Sequence, residues 1–167
     1  MSRPVQPDPL VLASASPRRA LLLREAGYVY EITKPPFHEP KWVHPHVAPT
    51  LHAESAAYFK ACSVAETLPP DTFVLAADTI ASIEGEVIGK PADRQDAHRI
   101  LSRLAGTTHS VITGIVLLHL TSGRRLLQHS LSTVHMRGLS DEALNTYLDT
   151  GAWAGKAGAY GVQDQDD

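Results

Sequence analysis

Ser14, Ser16, Arg18 and Arg19 fall inside one short stretch, Leu10-Val11-Leu12-Ala13-Ser14-Ala15-Ser16-Pro17-Arg18-Arg19. Two hydroxyls followed by two guanidinium groups suit an anion with several oxygens. The local pattern agrees. LVLA is an apolar run of strand length, Ser16 is a good helix N-cap, and Pro17 sits at the first helical position, where proline is favoured. The expected helix runs through ALLLREA and stops at Gly27. Two cations then sit at the positive end of a helix, where they are unfavourable. A bound phosphate would relieve that repulsion and take up free backbone N–H groups. Read alone, the stretch fits either such a phosphate site or an ordinary βα unit with two solvated arginines.

Other residues could do chemistry. Asp78-Thr79 follows the apolar run Phe73–Ala77. A carboxylate at the C-terminal end of a buried strand is where open α/β sheets place their sites. A turn aspartate is the other reading. Gly89-Lys90-Pro91 holds a lysine in a stiff turn, a feature that surface turns share. In the tail, KAGAYGVQ surrounds Lys156 and Tyr160 with glycine and alanine, which fits backbone brought close to a ligand or a flexible loop. His38-Glu39 and His44-x-His46 lie in a Pro- and His-rich stretch, Lys34–Pro49. His38-Glu39 fits either a metal or base carboxylate or a solvated loop acid, while His44-x-His46 invites a metal reading but lacks further ligands at regular spacing and reads as an exposed loop pair.

The elements that must position these groups follow from periodicity and breakers. Tyr28–Thr33 reads as a strand cut off by Pro35-Pro36. Thr50–Thr67 reads as a helix with a stripe of small apolar residues, Ala53, Ala56, Ala57, Ala61, Val64 and Ala65, among which lie Glu54, Lys60 and Glu66. Ile80–Ile83 and Glu86–Ile88 flank Glu84-Gly85 as a hairpin. Asp93 starts a helix that Gly106 closes. Two long strands, His109–Leu120 and Arg124–Met136, surround Thr121-Ser122-Gly123, with a bulge expected at Thr113-Gly114. Ser140 caps a last helix that ends at Gly151.

At 167 residues the chain is read as a single domain, 1–167, large enough for a substantial core. A hydrophobic content of 43% with 20% charged residues is that of a soluble globular protein. The net charge of -3 argues against broad binding to nucleic acid or anionic membranes. Any basic site must therefore be local. Cys62 is the one cysteine, so no intrachain disulfide can form. No run reaches membrane-spanning length, and MSRPVQPDP lacks the apolar core of a signal peptide. The expectation is a cytoplasmic protein with a short, frayed leader.

In their order along the chain, these pieces resemble the Maf family of nucleoside triphosphate pyrophosphatases. The matching parts are SASPRR at 14–19, Glu39, Lys60, AADT at 76–79, GKP at 89–91, HSVITG at 109–114 and KAGAYGVQ at 156–163. The resemblance implies an α/β fold, a mixed sheet with flanking helices and a cleft between two lobes, similar to inosine triphosphate pyrophosphatases. It implies cleavage of a nucleoside triphosphate to the monophosphate and pyrophosphate with help from a divalent cation, Mg²⁺ or Mn²⁺. ADT with a later Gln looks like the branch acting on dTTP and UTP, with other pyrimidine or modified nucleotides in reach. In that branch Arg18, Thr79 and Gln163 match positions tied to base choice, and Asp78 matches the proton acceptor.

The chemistry of the matched residues is consistent with this. Arg18, Arg19, Lys60, Lys90 and Lys156 supply positive charge for a triphosphate, with Lys60 and Lys90 expected to act in the reaction. Ser14 and Ser16 add donors at the helix N-terminus. Glu39 and Asp78 are the acids expected near the cation, which takes oxygen ligands. Thr79 and Gln163 can exchange hydrogen bonds with a pyrimidine edge.

Two departures from the family pattern stand out. Gly155 replaces an acid that many members carry before the lysine of KAGAYG. The usual C-terminal strand and helix are missing from 1–167, where the sequence closes on Gln163-Asp164-Gln165-Asp166-Asp167. That ending brings in an alternative, a nucleotide-binding regulator of septum formation that does not hydrolyse. A homodimer is the assembly that the resemblance suggests, and neither nucleic acid nor membrane is expected as a partner.

Overall fold

A computed structural model describes residues 5–6, 9–36 and 47–162. The elements in chain order are β1 (Leu10–Ala13), α1 (Pro17–Glu25), β2 (Glu31–Thr33), α2 (Pro49–Cys62), a 3-10 turn (Ala65–Thr67), β3 (Phe73–Ile83), β4 (Glu86–Ile88), α3 (Arg94–Leu104), β5 (Thr108–His119), β6 (Arg125–His135), α4 (Asp141–Asp149) and a second 3-10 turn (Ala157–Ala159). The strands form one sheet in the order β2-β1-β3-β5-β6, with β4 on β3. β1 pairs in parallel with both β2 and β3, and β4 is antiparallel to β3, so the sheet is mixed as expected. No helix among the described residues is long and apolar enough to cross a membrane.

The chain divides into two compact units. Among the described residues, the first unit takes those up to 36, Thr50–Asp78 and Thr113–Ser130. Its core joins Ala57, Ala61 and Val64 to Val74, Ala76 and Val116. The second takes 47–49, Thr79–Ile112 and 131–162. Its core packs Ile100, Leu101 and Leu104 of α3 against Leu144 and Leu148 of α4.

Helix starts follow local chemistry. Asp93 accepts from the Asp96 N–H at 2.8 Å, and Asp96 in turn accepts from the Ala92 N–H at 3.0 Å. Ser140 accepts from the Ala143 N–H at 3.2 Å. Both are the caps read from the sequence, each satisfying an orphan donor of the first turn. Gly27, at φ 82°, follows α1 in the left-handed region that favours glycine.

Four expectations are corrected. β2 is confined to Glu31–Thr33, because Tyr28 and Val29 bond elsewhere. The Tyr28 N–H donates to Leu23 O, closing the helix exit. The Val29 N–H and C=O are taken by the side-chain amide of Gln6, at 2.8 and 2.7 Å. That second contact also corrects the frayed leader at Gln6, which is held to Val29. α2 ends at Cys62 rather than running to Thr67. There the Ser63 and Thr67 hydroxyls take up the carbonyls of Lys60 and Val64. Finally, β5 runs through Thr113-Gly114 without a break.

The glycine at 114 answers to packing instead. It is buried where β5 crosses α2, and a Cβ there would stand 2.3 Å from the backbone C and O of Ala53 and 2.4 Å from the Glu54 N. These are backbone atoms of a helix, which cannot step aside. Gly114→Ala is expected to destabilise by more than about 3 kcal/mol in urea denaturation, beyond ordinary overpacking. Gly138→Ala, whose Cβ meets nothing within 4 Å, is expected to stay within about 0.5 kcal/mol. Equal stability of the two variants would refute the close approach.

Candidate active site

Alternation along β3 decides the place of Asp78. Val74, Ala76, Asp78 and Ile80 share one face and are all buried. The strand continues through Ile83, so Asp78 lies within it rather than at its C-terminal end or in a turn. The reason is local: Thr79, Ile80 and Ile83 favour strand, and no breaker comes before Gly85. α2 presents the matching stripe, with Ala53, Ala56, Ala57, Lys60 and Ala61 buried. Strand parity and helix period therefore aim a carboxylate and an ammonium into one interface of small side chains.

Lys60 Nζ donates to Asp78 Oδ1. Lys60 is 9% exposed and Asp78 3%. Removing two charges from water is unfavourable, and their mutual attraction offsets that only while both are present.

Around this pair the first unit gathers part of the SASPRR stretch. Ser14 is buried, and its Oγ accepts from the Ser16 N–H at 3.1 Å and from Arg19 Nη1 at 3.4 Å. Arg19 Nη1 also donates to Ala77 O at 2.8 Å. β1 and β3 pair with Ala13 opposite Ala76, which sets the turn after β1 beside Ala77-Asp78. Arg19 thus ties the first turn of α1 to the peptide before Asp78. Ser16 is the N-cap residue of α1, but its side chain makes no capping bond; Ser14 takes that turn's hydrogen bond instead. Arg18 is exposed at the same helix end, and no acid lies in the first turn.

The second unit holds the other motifs. Thr79 is half-buried on β3, Lys90 is exposed after β4, and Lys156 is half-buried at the start of the 3-10 turn Ala157–Ala159. The Gly158 N–H donates to Gly89 O at 3.2 Å, so the GKP turn and the KAGAYG loop are bonded to each other. Gly158 has φ 73°, and a Cβ on it would lie 3.2 Å from both Ala81 Cβ and Tyr160 Cε1. Glycine is required there on both counts. Glu39, Gln163, His38, His44 and His46 lie outside the described residues.

Sequence reasoning gave no role to His109 or Tyr160, although both lie in quoted runs. His109 is 3% exposed, and its Nε2 lies 2.6 Å from the Tyr160 hydroxyl. Burial pushes its imidazole below the usual histidine range, toward the neutral form. The available signal was a polar ring at an inward position of a strand. Periodicity reports that such a ring is buried and says nothing of its partner.

The arrangement in the first unit makes a stability prediction. Lys60→Met leaves the Asp78 carboxylate buried without its cation and is expected to lose about 3–5 kcal/mol in urea denaturation. Adding Asp78→Leu is expected to recover about 1–2 kcal/mol of that loss, since the uncompensated charge is gone. A single variant as stable as the parent would remove the pair from its place in the fold.

Known proteins resemble this chain in sequence and in fold. The family model for Maf-like protein matches residues 9–166. A dTTP/UTP pyrophosphatase of Alkaliphilus metalliredigens is 40% identical over 154 residues, covering 92% of this chain and 79% of that protein. One of Symbiobacterium thermophilum is 42% identical over 154 residues, covering 92% and 77%. Among solved structures, a HAM1 protein from Coxiella burnetii superposes with a TM-score of 0.50 over 75% of this chain and 71% of that one. At 18% identity this likeness speaks to the fold. With the family model matched over residues 9–166 and relatives 40% and 42% identical over 92% of its length, the chain belongs to the Maf-like protein family.

Proposed function

We propose that this protein is a nucleoside triphosphate pyrophosphatase acting on dTTP and UTP. One observation carries the reading: the SASPRR turn, Lys60 and the aspartate of AADT meet in the first unit, with Arg19 on Ala77 O and Lys60 on Asp78. Anion-binding groups and a carboxylate are the parts that phosphoanhydride hydrolysis needs, since phosphoryl transfer is mainly positioning and charge stabilisation. The names of the relatives at 40% and 42% identity support the same reaction and the same pyrimidine nucleotides.

In this reading water attacks the α-phosphorus, the bond to the bridging oxygen breaks, and pyrophosphate leaves. Asp78 accepts the proton of the attacking water, and Lys60 orients its carboxylate. Arg18 and the first-turn N–H groups of α1 bind phosphate oxygens, with Arg19 and Ser14 fixing that turn. Lys90 keeps the catalytic role, and Lys156 and Thr79 the substrate-binding roles, that the family motifs imply.

A divalent cation fits the donor set in one particular way. Among the described residues no group of three or more His, Cys, Asp or Glu side chains is placed to hold a metal ion. A single carboxylate, Asp78, is present in the motif cluster of the first unit. Mg²⁺ is commonly held by one or two carboxylates together with substrate phosphates, and Mn²⁺ also prefers oxygen ligands. Asp78 is the described residue that would hold it, with Glu39 as the second acid implied by the motif. When bound, such an ion neutralises phosphate charge and makes water more acidic.

The test is pyrophosphate release from dTTP, UTP, CTP and GTP with Mg²⁺ or Mn²⁺. Release from dTTP and UTP is expected to exceed that from GTP. Asp78→Asn is expected to lower turnover by at least about a hundredfold, as for loss of a general base, while nucleotide binding stays measurable by calorimetry. Undiminished release by Asp78→Asn would rule out Asp78 as the proton acceptor.

A further inference from the structure

The reading above leaves a buried imidazole of the second unit without a task. His109 meets Tyr160 edge to face, with ring centroids 5.5 Å apart at 89°, and its Nε2 lies 2.6 Å from the phenol oxygen. Its Nδ1 is buried and has no hydrogen-bond partner among the described residues. A neutral imidazole carries one N–H. Placed on Nδ1, that proton would make an unsatisfied buried donor, which is rare and unfavourable. Placed on Nε2, it is donated to the Tyr160 oxygen. The orphaned atom therefore selects the tautomer, and the phenol's own proton is directed away from the ring.

Tyr160 closes a backbone that is strained without support. Gly158 and Ala159 both have positive φ, at 73° and 64°, and Ala159 is fully buried. A non-glycine residue holds that conformation only where its surroundings impose it. The supports include Gly158 N–H on Gly89 O, Ala159 N–H on Lys156 O, the Tyr147 hydroxyl on Ala159 O at 3.2 Å, and Tyr160 on His109.

We propose that His109 is a positioning residue: by donating from Nε2 to the Tyr160 phenol it fixes the 156–160 loop, and through it Lys156, in the shape that binds the triphosphate. This rests on the pyrophosphatase reading. A second proton would place an N–H on Nδ1, where no described residue accepts it, so the imidazolium does not fit. Titratable groups of the second unit include Lys156 and Tyr160 on the loop, Lys90 after β4, Asp141, Glu142, Tyr147 and Asp149 on α4, Arg94, Asp96, His98, Arg99 and Arg103 on α3, and His135 on β6, of which Arg103 is paired with Glu86 and His135 is bonded to Thr108. None of them causes the shift of His109, which comes from burial. The folded state thus holds fewer protons on this ring than the unfolded state does. The sign follows: its stabilisation is intact above the unfolded histidine value of about 6.5 and is lost as pH falls below it.

The first measurement is long-range nitrogen–proton NMR on the full chain with labelled histidines. His109 is expected as the Nε2–H tautomer, staying neutral below the pH at which an exposed histidine titrates. An Nδ1–H tautomer overturns the proposal. The second uses three variants in the dTTP assay, each checked for a cooperative melt. His109→Leu and Tyr160→Phe are expected to raise KM about tenfold while kcat changes less than about threefold, the pattern of lost binding rather than lost chemistry. His109→Gln keeps an amide donor near the Nε2 position and does not titrate. It is expected to return KM to within about threefold of the parent. A folded His109→Leu with parental KM, or a folded His109→Gln whose KM stays as high as that of His109→Leu, overturns the proposal. If the parent releases no pyrophosphate at all, the functional reading fails, while the tautomer and the amide shifts of Lys156 and Tyr160 in His109→Leu still report on the loop.

Discussion

The ion pair between Lys60 and Asp78 constrains most of the first unit. Each charge is admissible at its buried place because the other is there. The ammonium must travel along a lysine stem lying between helix and sheet, and that requires small neighbours. Ala53, Ala56, Ala57 and Ala61 on α2 and Ala76 on β3 supply them. The same closeness reaches β5, where Gly114 is the one side-chain size that α2 permits. On its more exposed side α2 is tied to β6 by Glu54, whose Oε1 lies 2.7 Å from His129 Nδ1. A helix rich in alanine thus serves as the stiff backing of a charged residue, and its low apolar bulk follows from that task.

Arg19 shows how a motif residue can act on a site through the backbone. Its guanidinium bonds Ser14 and the carbonyl of Ala77, so the phosphate-type turn and the carboxylate strand are held in register by one side chain. Arg18, next in sequence, is left at the exposed helix end. The unfavourable placement of two cations at a helix N-terminus therefore resolves into two different duties. One guanidinium is tied to the protein's own acceptors, and the other faces solvent where an anion can reach it.

The second unit follows another principle. Its core of Ile and Leu from α3 and α4 is bulky and conventional. Its special features lie in a short tail loop whose backbone takes two positive φ values in succession. Strain of that kind persists where packing over-determines it. Here the determinants include contacts from places far apart in the chain, among them Gly89, His109 and Tyr147.

Much of this was legible in the residues. Strand and helix order, the caps Asp93 and Ser140 and the glycine stop at 27 follow from hydrophobic period and breaker chemistry, which act over a few neighbours, whereas the mixed α/β class follows from the resemblance to a family. The motifs at 14–19, 76–79, 89–91 and 156–163 are readable through their combination and order, which carry the family resemblance, since each alone also fits an ordinary turn or loop. Only the tertiary structure decided that Asp78 pairs with Lys60, that Gly114 is a packing glycine and not a bulge, that Gln6 takes up the backbone of Val29, and that His109 meets Tyr160. The physical reason is common to all four. Each depends on which atoms approach from a distant part of the chain, and local preference carries no record of a partner that arrives 18, 23 or 51 residues away.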